Sequence, residues 1–358
     1  MKIFKKSRPR GSSVLTLRLW DFTGTSMLTL GIWILLIIFL SPLSYMVITS
    51  LKSSDEFRDR TAPLLPAQRL TYTYNGKKCD MYQVPTPDGK VHQWALVEAK
   101  RQSSKFIDPA HPEAGLIDWQ GSWRALTGVY RYRIYWNNYP ALWSAVNYPR
   151  YLKNSAIIVV IGEIGILLSS IAVAYGFSRF RIPGGKFLFF LLIATIVIPD
   201  SITLVPTFYI FSKVFHWWGT FYPLIVPAFF GSAIYIFLLR QNFKSIPRDL
   251  DEAAMLDGAG PLRTLVSIII PQAIPAIVTV GLLYFFNTWN ELRMSSLYLG
   301  IAPDKQTMAF TGIGGGGIGF TPETLQASAV ILMAVPLLVL FLSQRFFMKD
   351  MVVTAIEK

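Results

Sequence analysis

Charge is scarce in this 358-residue chain. Asp, Glu, Lys and Arg make up 15% of it, where a soluble globular protein carries roughly a quarter. With 52% hydrophobic residues and a mean hydropathy of +0.41, an ordinary soluble domain is excluded. Cysteine is almost absent: Cys79 stands alone, so no internal disulfide forms. Histidine is nearly as rare. His92, His111 and His216 are isolated from one another, and neither a metal cluster nor a nucleophile triad is readable. No glycine is followed by Lys-Ser or Lys-Thr at phosphate-loop spacing, so the chain has no nucleotide-hydrolysing loop of its own. TGIGGGGIGF holds a formal G-x-G-x-x-G from Gly312 to Gly317, but it follows no strand and reads as a flexible external loop.

What is abundant is apolar length. A membrane span needs about 20 mostly apolar residues. Six runs qualify: Met27–Ile48, Ser155–Phe177, Phe187–Phe211, Phe221–Leu239, Gln272–Trp289 and Ala327–Phe347. Pro199, Pro206, Pro223 and Pro227 lie inside two of them and are tolerable in lipid where neighbouring helices satisfy the freed backbone groups. The first run is too long and too far from the N-terminus for a signal peptide and is expected to be a retained span.

The net charge of +13 would point to nucleic acid in a soluble protein. In a membrane protein it reads as Lys and Arg held on the cytoplasmic face, with no nucleic-acid partner. The N-terminal tail, the Ser178–Lys186 loop, the Arg240–Arg263 loop and the C-terminal tail are basic, while Lys213 and Lys305 stand alone in the opposite loops. Both termini are therefore expected in the cytoplasm. The long loop 49–153 escapes this rule and is expected outside. RLTYTYNG and KVHQWALVEAK within it read as strands, with PTPDGK as the turn before the second. Its aromatics, Trp119, Trp123, Tyr130, Tyr132, Tyr135 and Trp136, are expected to pack a small core, with partner binding as the other use.

Between the fourth and fifth runs the chain turns acidic, in DEAAMLDGAGPLRTLVSIIIPQAIPAI. Asp251–Leu256 reads as a short helix with acid at its positive end, approached by the candidate caps Ser245 and Asp249 and stopped at Asp257-Gly258. Such a helix either passes a push from a cytoplasmic partner into the spans or rests as an amphipathic loop on the headgroups. The residues alone leave both open.

The same stretch resembles the EAA signature of permease subunits of ATP-binding cassette importers: Glu252-Ala253-Ala254, then Gly258, Ile268, Ile270 and Pro271, with Ile270 in place of leucine. SLKSSDEF, NYPALWSAVNYPRYLKNS, NTWNEL and QRFFMK are similar to the carbohydrate-uptake, maltose-type branch, with Leu292 for phenylalanine. The resemblance fails over roughly Ala67 to Trp136, and the tail DMVVTAIEK lacks that family's glycine. It implies an all-α polytopic membrane protein of six transmembrane helices with a cytoplasmic coupling helix, to which the strand-like runs add a small external insertion with some β structure. The implied layout is a tail over 1–26, a span over 27–48, an external loop over 49–153 with the insertion at 67–136, a core over 154–347 holding the loop 240–271, and a tail over 348–358.

In function it implies the permease subunit of a sugar importer in the bacterial inner membrane. The partners would be a second homologous permease, two cytoplasmic ATPase subunits carrying ATP-Mg, and an extracytoplasmic solute-binding protein. Glu252, Ala253, Ala254, Asp257, Gly258 and Pro271 would carry ATPase coupling, and the chain itself would bind no cofactor and catalyse nothing. Polar groups at membrane depth mark pathways or interhelical bonds. Asn287, Trp289, Asn290, Glu291 and Asp200 are the candidates for the substrate pathway, while interhelical bonding is the expected role of Glu163. The rival readings are a permease for amino acids or peptides, an ion-gradient-driven transporter and a membrane-embedded enzyme. The last lacks clustered His, Asp and Glu.

Overall fold

The computed structural model describes residues 14–59, 61–86, 89–313 and 321–356, without the side chains of 14–24, 312–313 and 347–356. It divides into two compact units, Met1–Tyr135 and Trp136–Lys358.

The first unit joins a long helix to a β domain. Helix α1 (Val14–Ser50) contains the candidate span Thr25–Ser50. Its Leu35, Ile37 and Phe39 are exposed, as suits a helix solvated by lipid on every side. A short α2 (Ser54–Arg58) follows, capped by Ser53, whose Oγ accepts from the Glu56 N–H at 3.4 Å.

Among the described residues eight strands come next: β1 (Ala67–Arg69), β2 (Thr71–Tyr74), β3 (Lys77–Pro85), β4 (Val91–Glu98), β5 (Ser103–Ile107), β6 (Leu116–Gln120), β7 (Thr127–Gly128) and β8 (Tyr130–Tyr132). β2 to β6 form an antiparallel meander in sequence order, β7 pairs with β3, and β1 pairs with β8. The β2–β3 turn is Asn75-Gly76, both left-handed (φ 48° and 77°), the two-residue hairpin chemistry that matches strand twist. Both faces of the sheet are covered. Tyr82, Val84, Trp94, Phe106 and Leu126 pack one cluster, and Cys79, Ala95 and Ile107 another. Trp119 and Trp123 pack partly against the first, as expected of loop aromatics. Tyr132, Tyr135 and Trp136 are exposed instead.

The second unit is helical: α3 (Asn138–Ala145), α4 (Tyr148–Arg179), α5 (Gly185–Ala194), α6 (Asp200–Tyr209), α7 (Tyr222–Ile225), α8 (Ala233–Ser245), α9 (Asp249–Leu256), α10 (Pro261–Thr264), α11 (Ile270–Gln272), α12 (Ile274–Trp289), α13 (Arg293–Leu299) and α14 (Pro322–Ile356). Across the described residues four helices are long and apolar enough to cross a membrane, or up to six if each of two bent pairs is one span.

The bent pairs fall on the third and fifth expected spans. Gly185–Val197 and Asp200–Val214 meet at 94°, and Pro261–Gln272 and Ile274–Trp289 at 81°. Pro199 explains the first: the residue before it, Ile198, is extended (ψ 117°), as a following proline demands. Pro206, by contrast, sits inside α6. The core of this unit is α4 against α8 and α12, with Leu239, Phe243, Ile269 and Val280 fully buried. Close approach depends on glycine. A Cβ on Gly162 would lie 2.0 Å from the Tyr284 hydroxyl, and one on Gly165 would lie 2.6 Å from the Phe229 ring.

Candidate functional site: the loop between the fourth and fifth apolar runs

The acidic stretch forms α9, which begins two residues earlier than the Asp251–Leu256 expected from the sequence. Its helical start follows Arg248, and no side chain caps it. Ser245, a candidate cap, instead donates to the Asn242 carbonyl at 2.7 Å, and Asp249 lies inside the first turn beside Asp251 and Glu252. The stop is as expected. Gly258 is left-handed at φ +78°. Its N–H donates to the Met255 carbonyl at 3.0 Å, and the Ala259 N–H reaches the Ala254 carbonyl at 2.9 Å. This paired pattern closes a helix on glycine. Nothing lies within 4 Å of a Cβ built on Gly258, so the dihedral alone requires glycine.

Helical periodicity then sorts the side chains. Asp251 and Ala254, three apart, are buried, while Glu252, Ala253, Met255, Leu256 and Asp257 are exposed. Leu256 is 90% exposed and Met255 63%, an apolar tip on an acidic helix with no cover in this chain.

The buried side is tied to the end of α4. Arg179 Nε stands 2.8 Å from Asp251 Oδ2, both side chains under a tenth exposed. Arg179 Nη2 also donates to the Ile246 carbonyl at 3.1 Å, and the Tyr175 hydroxyl donates to the Pro261 carbonyl at 3.1 Å. One turn of α4 thus grips the loop before, within and after α9. At its other end α4 is fixed as firmly: Asn154 Nδ2 donates to the carbonyls of Asp304 and Gln306, each at 2.9 Å, and Ser155 Oγ accepts from the Met308 N–H at 2.8 Å. Arg179 and Asp251 are absent from the residues singled out in sequence. The readable signal was the spacing that separates Asp251 and Ala254 from Glu252. Pro271 is exposed at the start of α11, apart from this grip.

The candidates at membrane depth do not converge on one point. Asn287 lies in the last turn of α12, Asn290 ends that helix, and Glu291 follows it. Asn287 Nδ2 donates to the Tyr235 hydroxyl at 3.3 Å, Asn290 Nδ2 to the Phe286 carbonyl at 2.9 Å, and Glu291 Oε1 accepts from the Met294 N–H at 2.8 Å. Trp289 is turned inward at 3% exposure. It stacks on Phe285 and donates from Nε1 to the Leu332 carbonyl at 3.1 Å. Asp200 is exposed in the first turn of α6. Glu163 lies against α12: a Cβ on Gly281 would meet its Oε1 at 2.5 Å, and its buried Oε2 has no hydrogen-bond partner among the described residues.

Three comparisons bear on this arrangement. The family described as binding-protein-dependent transport system inner membrane component matches residues 165–353, more than half of the chain and all of α9. An osmoprotective-compound uptake permease protein of Synechocystis sp. is 30% identical over 259 residues, 70% of this chain and 85% of that protein. An alpha-glucoside transport system permease protein of Rhizobium meliloti is 28% identical over 231 residues, 62% of this chain and 60% of that one. In fold, the chain is similar to one in a bacterial ABC transporter involved in the import of the acidic polysaccharide alginate. That likeness has a TM-score of 0.62 at 19% identity and covers 95% of this chain and all of the other.

Proposed function

The chain belongs to the family of binding-protein-dependent transport system inner membrane components, a permease component of an ABC importer, and from that premise we propose that α9 is its coupling helix and that its cargo is a sugar. The observation that carries this reading is the two-sidedness of α9. Asp251, paired with Arg179, anchors it to the chain's own α4 and Ala254 is buried with it, while Glu252, Ala253, Met255 and Leu256 are exposed. A helix held on one side and bare on the other fits a cleft on a partner. That partner would be a cytoplasmic ATPase subunit, one of two, each supplying the ATP-Mg chemistry.

When the ATPases close, the docked face moves. Arg179 and Tyr175 pass the displacement to α4, whose far end holds the 304–308 segment. ATP thereby favours one of two states of the spans, and the cargo favours the same transition from the other side, which is coupling in the thermodynamic sense. A second, homologous permease completes the pathway and an extracytoplasmic binding protein delivers the cargo, with both termini of this chain in the cytoplasm. The sugar assignment is supported by relatives named for alpha-glucosides and for diacetylchitobiose. Asn287, Asn290, Glu291 and Asp200 are the groups with hydrogen-bonding capacity for sugar hydroxyls along the path, while Trp289 is buried against Phe285.

Glu252→Lys reverses the charge on the bare face without touching the anchor. Uptake of the labelled sugar into cells should fall at least tenfold, with the amount of permease in the membrane unchanged on immunoblot. Uptake at the unsubstituted level would overturn the docking role.

A further inference from the structure

The β domain holds a cavity of about 920 Å³ that coupling does not use. Its floor is a bonded network. Arg69 ion-pairs with Asp59 and, at 3.4 Å, with Asp80. The Tyr130 hydroxyl donates to Asp59, and Thr61 donates to Asp59 from both its N–H and its hydroxyl. The guanidinium lies over the rings of Tyr82 and Tyr130 at 5.0 and 5.5 Å. Gly128 makes room for it, because a Cβ there would stand 2.8 Å from Arg69 Nε. A floor built this way is rigid before any ligand arrives, which lowers the entropy lost on binding.

The walls decide what fits. Among the lining carboxylates Asp59 is held by Arg69 and Tyr130, Glu56 is held by Lys52 at 3.2 Å and by the Ala67 N–H at 3.0 Å, and Asp80 is shared with Arg69. Asp55 alone remains without an acid–base partner among the described residues. Against it stand three exposed guanidiniums with no carboxylate partner there: Arg58, Arg124 and Arg133. Arg133 donates once, to Gln68 Oε1 at 2.7 Å, and Arg124 stacks on the Trp123 ring at 4.9 Å. Donors therefore outnumber acceptors, so the ligand must bring oxyanions. A guanidinium takes a carboxylate in a two-pronged geometry. The volume far exceeds a lone anion and falls in the range of sites for molecules of several rings, and Trp123 and Tyr135 add apolar edges beside the polar groups.

We propose that this cavity is a binding site for an acidic saccharide, a sugar chain carrying carboxylates, held by Arg58, Arg124 and Arg133 at the rim over the Arg69–Asp59–Tyr130 floor. The choice of a saccharide among anions of this size rests on the sugar reading above; the site itself needs neither ATP nor a partner chain, so its test is separable from transport.

The full chain in phosphatidylcholine nanodiscs is titrated with trigalacturonate by microscale thermophoresis, with maltotriose and citrate in parallel. Trigalacturonate should bind saturably and weaken with salt. The exposed triple variant Arg58→Ala, Arg124→Ala, Arg133→Ala should weaken it at least tenfold while melting within a few degrees of the unsubstituted chain. Maltotriose should bind at least tenfold more weakly. Absence of trigalacturonate binding, or equal binding by the triple variant, would overturn the site. Equal affinity for maltotriose would overturn its preference for acid, and citrate matching trigalacturonate would reduce it to a bare anion site. Loss of binding in nanodiscs of phosphatidylglycerol would assign the arginines to a lipid headgroup and overturn the saccharide. Sugar uptake by the assembled importer, measured separately, fails or succeeds independently of all these arms.

Discussion

At the scale of single residues, the Arg179–Asp251 pair is the point where α4 and α9 are joined by charge. Burying two ions costs several kcal/mol, which their attraction only about repays, but removing one leaves the other stranded at a cost of roughly 3–5 kcal/mol. Asp251→Ala should therefore destabilise the second unit by about 3 kcal/mol, read as a lower melting temperature in detergent, and should abolish uptake. Exchanging the two charges, Arg179→Asp with Asp251→Arg, should recover more of both than either single change. No recovery would mean that geometry, not charge, makes the joint.

Asp59 gives a second test, with a sign fixed by linkage. Burial alone would raise its pKa, but hydrogen bonds from Tyr130 and Thr61 and the charge of Arg69 outweigh that and hold it below the usual 3.8. A carboxyl depressed in the folded state adds stability that is complete above its unfolded pKa and fades as pH falls through the folded value. The β domain should thus keep this contribution at neutral pH and lose it in acid below about pH 4. Tryptophan fluorescence melts across pH should show the loss, and Asp59→Asn should flatten it while lowering stability at pH 7.

At the scale of elements, α9 is short enough that its end defines it. Eight residues are far below the length at which an isolated helix is stable in water, so the anchor to α4 and the glycine stop hold it. Gly258→Val places a β-branched residue at φ +78°, a conformation costing such residues at least 1–2 kcal/mol. The helix end should unwind, uptake should fall severalfold, and Gly258→Asn, which tolerates the left-handed region, should keep most of it. Equal loss from both variants would mean that any side chain there blocks docking.

The type and stop of α9 were readable because acid placement and glycine are local signals, whereas its start was not, since neither candidate cap takes that role. β2 and β4 were readable too, and fall within the strand-like runs RLTYTYNG and KVHQWALVEAK. β3 was not: its buried positions, Cys79, Tyr82 and Val84, serve both faces of a doubly covered sheet and break the simple alternation that marks a half-buried strand. The 94° and 81° bends were hidden too, since hydropathy measures apolar length and not direction. Pro199 was visible, but whether a proline bends a helix or sits inside it, as Pro206 does, depends on packing. The Arg179–Asp251 joint is tertiary, between residues far apart in the chain, and composition carries no trace of it.

At the scale of the whole molecule, the near-absence of cysteine makes the proposed topology directly measurable. The orientation rests on where Lys and Arg fall, a statistical force acting during insertion, and the long loop holding the β domain is exempt from it. If Arg240–Arg263 faces the cytoplasm and α1 crosses once, the β domain lies outside and α9 inside. Cys79 is the sole thiol and 2% exposed, so in the folded chain it should react with a maleimide only on unfolding. With Cys79→Ala as background, Val91→Cys and Leu256→Cys place single thiols at sites 62% and 90% exposed, one on β4 and one on α9. In intact spheroplasts a membrane-impermeant maleimide should label Val91→Cys and leave Leu256→Cys untouched. In inside-out vesicles the pattern should reverse, and binding of the ATPase subunits should then shield Leu256→Cys. Labelling of both thiols in intact spheroplasts would put the bare face of α9 beyond the reach of any ATP-hydrolysing partner, and the coupling role would fall with the topology.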